Sequence, residues 1–178
     1  MKAMNISLAA AFALAALSCT PAADTTREAE EAGLPDLTPV AGVLARNVSE
    51  AMSQVILDAD SIKAAVYADE EESPTERNVA GFFAHLLKFQ LCQPTMYSSD
   101  EDVYGLFSPF VTVTFFRGGE TATALFDYGL GKWMLQDSGG ERILRRDLPK
   151  DALLSLFYVL FEDSQLMQMT YEDYCRGK

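Results

Sequence analysis

The chain has 178 residues, with 14 Lys and Arg against 26 Asp and Glu for a formal net charge of −12, one His and three Cys. A chain this acidic repels phosphate backbones and anionic headgroups, which argues against nucleic acid or a bare membrane surface as partners. A single His beside three Cys is too poor a donor set for a zinc site, and no metal or cofactor is expected.

At the N-terminus, Lys2 is the only charge before Asp24, and an apolar run from Ile6 to Leu17 ends in small residues. That layout is a secretory leader, too short for a membrane span. Residues 1–18 are therefore expected to be a signal peptide of the lipoprotein type. Ala16-Leu17-Ser18-Cys19 resembles a bacterial lipobox, which makes Cys19 the candidate lipidation site, although Leu17 stands one place late. The alternative is cleavage after Ala22 or Ala23. Residues 19–36 hold almost no large apolar side chain and read as a flexible tether. The remainder, 37–178, has the length and apolar content of a single domain.

Export also shapes the reading of the cysteines. With Cys19 lipidated or removed, Cys92 and Cys175 remain in an oxidising compartment, and a disulfide between them is expected. A loop of that length restricts the unfolded chain by about 4 to 5 kcal/mol in the entropy model. Two buried free thiols are the other reading.

Within the domain, Thr38 as N-cap and Pro39 at the first helical position predict a helix with Val40, Val43, Leu44, Val48 and Met52 on one face. The following residues, 53–68, fit either period, and the leaning is to a strand because Asp58, Asp60 and Ser61 compete for helix backbone bonds. Ser73-Pro74-Thr75-Glu76 combines a cap, a first-turn proline and a capping-box glutamate, and predicts a second helix that carries Val79, Phe82, Phe83, Leu86, Leu87 and Phe89 and stops before Pro94.

Val111 to Phe115 alternates as a strand, and Arg117-Gly118-Gly119-Glu120 turns it into a second strand through Phe126. Tyr128-Gly129-Leu130-Gly131 leads into a third over 132–135, and Asp137-Ser138-Gly139-Gly140 into a fourth from Glu141 to Arg145. Pro149 opens a last helix, apolar nearly all round, expected to lie across the sheet. The predicted fold is α+β: an antiparallel meander of four strands or more packed against two or three helices.

Asp137-Ser138-Gly139-Gly140 matches the nucleophile signature of trypsin-like proteases and, in its first three residues, the carboxylate triplet of aspartic proteases. The first reading fails because the only His, His85, sits on a predicted helix among phenylalanines and leaves Ser138 without a base. The second needs two chains that share a proton between their Asp137 carboxylates, yet Gln136 stands where that family is apolar, and Ile143-Leu144-Arg145-Arg146 lacks the apolar pair and glycine that brace its active turn. Gly129 to Lys132 precedes a strand, not the helix a phosphate loop requires, and Asp100-Glu101-Asp102 lacks the spacing of a calcium loop. Arg142, Arg145, Arg146 and Lys150 are split between strand faces by alternation. What remains is a set of aromatics, Tyr104, Phe107, Phe110, Tyr128 and Trp133, as candidates for a contact surface, with core and rim as the competing reading.

The segment from Ile56 to Lys63, a helix with a Cys soon after it, the strand VTVTFF and the turn FDYGLGKW together resemble small, uncharacterised exported proteins and lipoproteins of Gram-negative bacteria, over roughly residues 55–161. The resemblance implies no activity. The function expected from the sequence is that of a non-enzymatic binding or accessory module of the cell envelope, anchored in the outer membrane or free in the periplasm and meeting another envelope protein. The alternatives are an inhibitor of an extracytoplasmic hydrolase and a dimeric peptidase using Asp137.

Overall fold

The computed structural model describes Leu34 and residues 36–68, 73–97, 106–139, 142–149 and 151–177. The leader, Cys19, most of the tether, the Asp100 to Asp102 cluster and Tyr104 lie outside the described residues. The fold is α+β, a six-stranded antiparallel sheet in the order β2-β1-β3-β4-β5-β6 with helices against it.

The predicted first helix is present but broken. Helix α1 spans Thr38–Asn47 and α2 spans Glu50–Leu57. Ser49 divides them, because its hydroxyl accepts from the Met52 amide at 3.1 Å and restarts the helix. The first cap falls one residue early, at Leu37, and Asp36 Oδ1 receives the Thr38 amide at 2.9 Å. Leu44, Met52, Val55 and Ile56 are buried. The ambiguous stretch resolves into both forms: helix to Leu57, then strand β1, Ser61–Val66, beyond Asp58 and Asp60.

The Ser73 cap signal does not start a helix. Residues Thr75–Val79 form edge strand β2, antiparallel to β1, with Val66 opposite Thr75 and Ile62 opposite Val79. The local signal yields to the pairing: Val79 is buried beside Ile62, and Lys63 reaches Glu76 at 2.9 Å, gains no isolated helix offers. Pro74, just outside the strand, removes no ladder bond. Helix α3 begins only at Gly81, which adopts φ 56°, and runs Gly81–Leu91, ending before Pro94 as expected. A short 3-10 turn follows at Pro94–Tyr97.

The meander is as predicted. Strands β3, Val111–Arg117, β4, Glu120–Asp127, β5, Lys132–Asp137, and β6, Arg142–Asp147, pair in sequence order. Val111, Val113, Phe115, Ala122, Ala124 and Phe126 are buried, while the alternate row, including Thr112, Thr114 and Thr123, is half-buried. In that row the Thr114 and Thr123 hydroxyls lie 3.2 Å apart across the strands.

The expected last helix starts later than Pro149, at α4, Leu154–Leu160, and is amphipathic, with Leu154, Leu156 and Phe157 buried and Val159 exposed. The C-terminal stretch, for which the sequence suggested no element, forms α5, Gln165–Arg176, capped by Ser164.

Two residue assignments are corrected. Trp133 is not a surface aromatic: it is fully buried, its indole donates to the Met96 carbonyl at 2.8 Å, and it stacks on Phe126 at 6.1 Å. Cys92 and Cys175 are free thiols and form no disulfide. Cys92 follows the last turn of α3 and is sealed in the core, where burial pushes its thiol up to about 11, whereas Cys175 is exposed on α5.

Candidate apolar cleft

One concavity among the described residues is built beside a buried aspartate. Asp127, buried at the end of β4, accepts the Leu130 amide at 2.8 Å on one oxygen and the Ser108 amide at 2.9 Å on the other. Those bonds fold Tyr128-Gly129-Leu130-Gly131 into a tight turn and hold the incoming strand residues beside it. Gly131 closes the turn at φ 66°, a conformation that favours glycine, and its carbonyl receives the Leu148 amide at 2.8 Å. Lys132, buried, stands opposite Asp127 on one side and Asp147 on the other, and forms an ion pair with Asp147.

Tyr128 projects from this turn. Its hydroxyl donates to the Ala152 carbonyl at 2.7 Å, and burial holds its phenol well above the usual range. The ring is therefore a fixed, neutral wall. Phe110 lies 5.9 Å from it and Phe157 lies 6.5 Å away on the core side. Beyond Ala152, Leu153 occupies the left-handed region at φ 59°, a strained setting for leucine that aims Leu154 into α4.

Helix α5 supplies the opposite wall. Leu166, Thr170, Asp173 and Tyr174 recur at the spacing of one helical face, and all four border the cleft. The helix is held by Met167, its only buried residue, and by Tyr171, whose ring stacks on Tyr158 of α4 at 4.3 Å. Between the walls lies a cleft of about 530 Å³, bordered also by Phe110, Leu130, Leu148 and Leu154. That volume falls within the roughly 300–1,000 Å³ of small-molecule sites.

Of the proposed contact aromatics, the structure brings Tyr128 and Phe110 together in the cleft, sets Phe107 half-buried near the strand entry, and withdraws Trp133 into the core. Tyr174, Leu166 and Asp173 were missed, and the signal for them was available: a helical period in 165–176 behind a Ser164 cap.

The other candidates form no catalytic set. Asp137 accepts the Gly139 amide at 2.9 Å, and a side chain at Gly139 would meet the same carboxylate at 3.2 Å, so the Asp-Ser-Gly sequence builds a turn. His85 is half-buried on α3, and its Nε2 has no hydrogen-bond partner among the described residues. Lys88 caps the end of α2 by donating to the Leu57 carbonyl at 2.7 Å, and burial lowers its pKa against the pull of Asp58. Among the described residues no three His, Cys, Asp or Glu side chains group to hold a metal ion, and no helix is long and apolar enough to cross a membrane.

No protein-family model matches the chain, and neither does any curated protein or solved structure.

Proposed function

We propose that the chain is a non-enzymatic binding module that takes a small apolar molecule into the cleft between the β4–β5 turn and α5. The observation that carries this reading is the cleft itself: about 530 Å³ of space bordered by Phe110, Tyr128, Leu130, Leu148, Leu154 and Leu166, beside a turn held by two amides that donate to the Asp127 carboxylate and one that donates to the Gly131 carbonyl. Apolar walls with few polar groups favour transfer of hydrocarbon from water at about 25 cal/mol per Å² buried. Asp137, whose motif suggests chemistry, serves as a turn staple, which further supports binding over catalysis.

Titration with a neutral fluorescent apolar probe, N-phenylnaphthylamine, tests the reading. Saturable enhancement is expected, and Thr170→Trp, which fills the cleft from the α5 side, is expected to abolish it while leaving the thermal midpoint within a few degrees, as surface substitutions do. A linear, unsaturable response of the unaltered protein would sink the proposal.

The leader-like N-terminus supports a place for this module at the cell envelope, tethered through Cys19. The intact mass of protein from a native membrane fraction decides it: a diacylglyceryl adduct on Cys19 is expected, and a chain still beginning at Met1 would remove the envelope placement.

A further inference from the structure

Among the described residues that border the cleft, Asp173 is the one charged side chain. Asp173 lies in the last turn of α5, Gln165–Arg176, where the helix dipole adds partial negative charge from unpaired carbonyls. Two hydroxyls at the cleft present acceptors: that of Thr170 spends its proton on the Leu166 carbonyl at 2.8 Å, and that of Tyr128 on Ala152 at 2.7 Å. The chain as a whole carries −12.

Three aromatic rings, Phe110, Tyr128 and Tyr174, stand among the bordering residues. Ring faces carry negative charge density and attract organic ammonium ions, most effectively those whose alkyl groups make them cheap to dehydrate. From this combination we infer that the ligand is an organic cation, an alkylated ammonium carrying an apolar tail or ring, with its charge at Asp173 and its apolar body between Tyr128 and Leu166. The inference rests on the cleft being the binding site proposed above.

Arg176 is the internal competitor, with its Nη1 3.1 Å from Asp173. Its side chain is 71% exposed, and a pair so solvated is worth at most about 1 kcal/mol. Arg176 also reaches Glu172 at 3.3 Å, so releasing Asp173 to a ligand leaves the guanidinium paired. An anionic ligand has no such accommodation, because the Asp173 carboxylate at the border of the cleft repels it.

The test displaces bound N-phenylnaphthylamine with three molecules of equal chain length: decyltrimethylammonium, decanol and decyl sulfate. Salt of about 0.15 M confines electrostatics to about 8 Å, so the net charge of the chain does not set the outcome. Decyltrimethylammonium is expected to displace the probe at about fivefold lower concentration than decyl sulfate, the ratio that about 1 kcal/mol for one solvent-exposed charge contact gives. In Asp173→Asn that ratio is expected to fall to near one, with decanol as the internal reference within each variant. Equal displacement by cation and anion, or a ratio that survives in Asp173→Asn, would overturn the inference while leaving the apolar cleft intact. Failure of the probe to bind at all would remove the proposed function and this inference with it.

Discussion

At one end of β4 the chain turns through Gly118 and Gly119, both at positive φ, between Arg117 and Glu120; at the other it turns through Tyr128, Gly129, Leu130 and Gly131. An aspartate staples each. Asp60, in the link between α2 and β1, accepts the Gly118 amide at 3.0 Å, and Asp127 accepts the Leu130 amide at 2.8 Å. The first turn is exposed and polar, with Arg117 3.6 Å from Asp58. The second carries Tyr128 and Leu130 into an apolar cleft, and its aspartate is buried together with Lys132. An aspartate carboxylate thus holds a turn that faces solvent at one end and a turn that borders a cleft at the other, and the side chains the turns carry make the difference.

Asp127→Ala should break the comparison most. It leaves the Leu130 and Ser108 amides without their acceptor and removes the buried carboxylate opposite Lys132, which keeps its ion pair with Asp147, with an expected cost of about 3 kcal/mol and a looser cleft. Denaturant unfolding measures the first, and probe affinity the second. A loss below about 1 kcal/mol would mean that the staple is dispensable.

Next in size is an alkaline weakness. Burial raises the pKa of Tyr128 and Tyr97, in the latter with help from Cys92, and pushes Cys92 up to about 11. Unfolded, such groups ionise near about 8.5 for Cys and 10 for Tyr. Their contribution is therefore fully present below those values, and falls as pH rises past them, because the unfolded chain then binds fewer protons than the folded one. Lys88, whose pKa burial lowers, works in the opposite sense just below its ordinary value. The denaturation midpoint should hold steady to about pH 8 and decline above about pH 9 to 10, less steeply in Tyr128→Phe. A midpoint unchanged to about pH 11 would contradict this sign.

Asp60→Ala should have the smallest effect. Its partner amide sits at an exposed tip where water substitutes, so a change within about 0.5 kcal/mol is expected by the same denaturant titration. A loss matching that of Asp127→Ala would erase the distinction between the two turns.

Strands β3 to β6 were legible because their information is local: alternation of Val and Thr, then glycine turns at Gly118, Gly131 and Gly139. Strand β2 was not, since Ser73-Pro74-Thr75-Glu76 carries a true helix-start pattern that is overruled by pairing with β1, a contact no window around Ser73 contains. Trp133 and Leu135 read the same in sequence whether a strand edge is open or covered, and β5 is buried over its first four residues.

By itself the sequence determined the acidic charge, the α+β class and the meander with its turns, because each follows from composition or from neighbours along the chain. Tertiary structure alone decided that Cys92 is enclosed while Cys175 is exposed, that Trp133 belongs to the core, and that Phe110, Tyr128, Leu148, Leu154 and Tyr174 border one cleft. Those residues span more than sixty positions, and only the packing of α5 on α4 over the end of the sheet brings them within reach of one ligand.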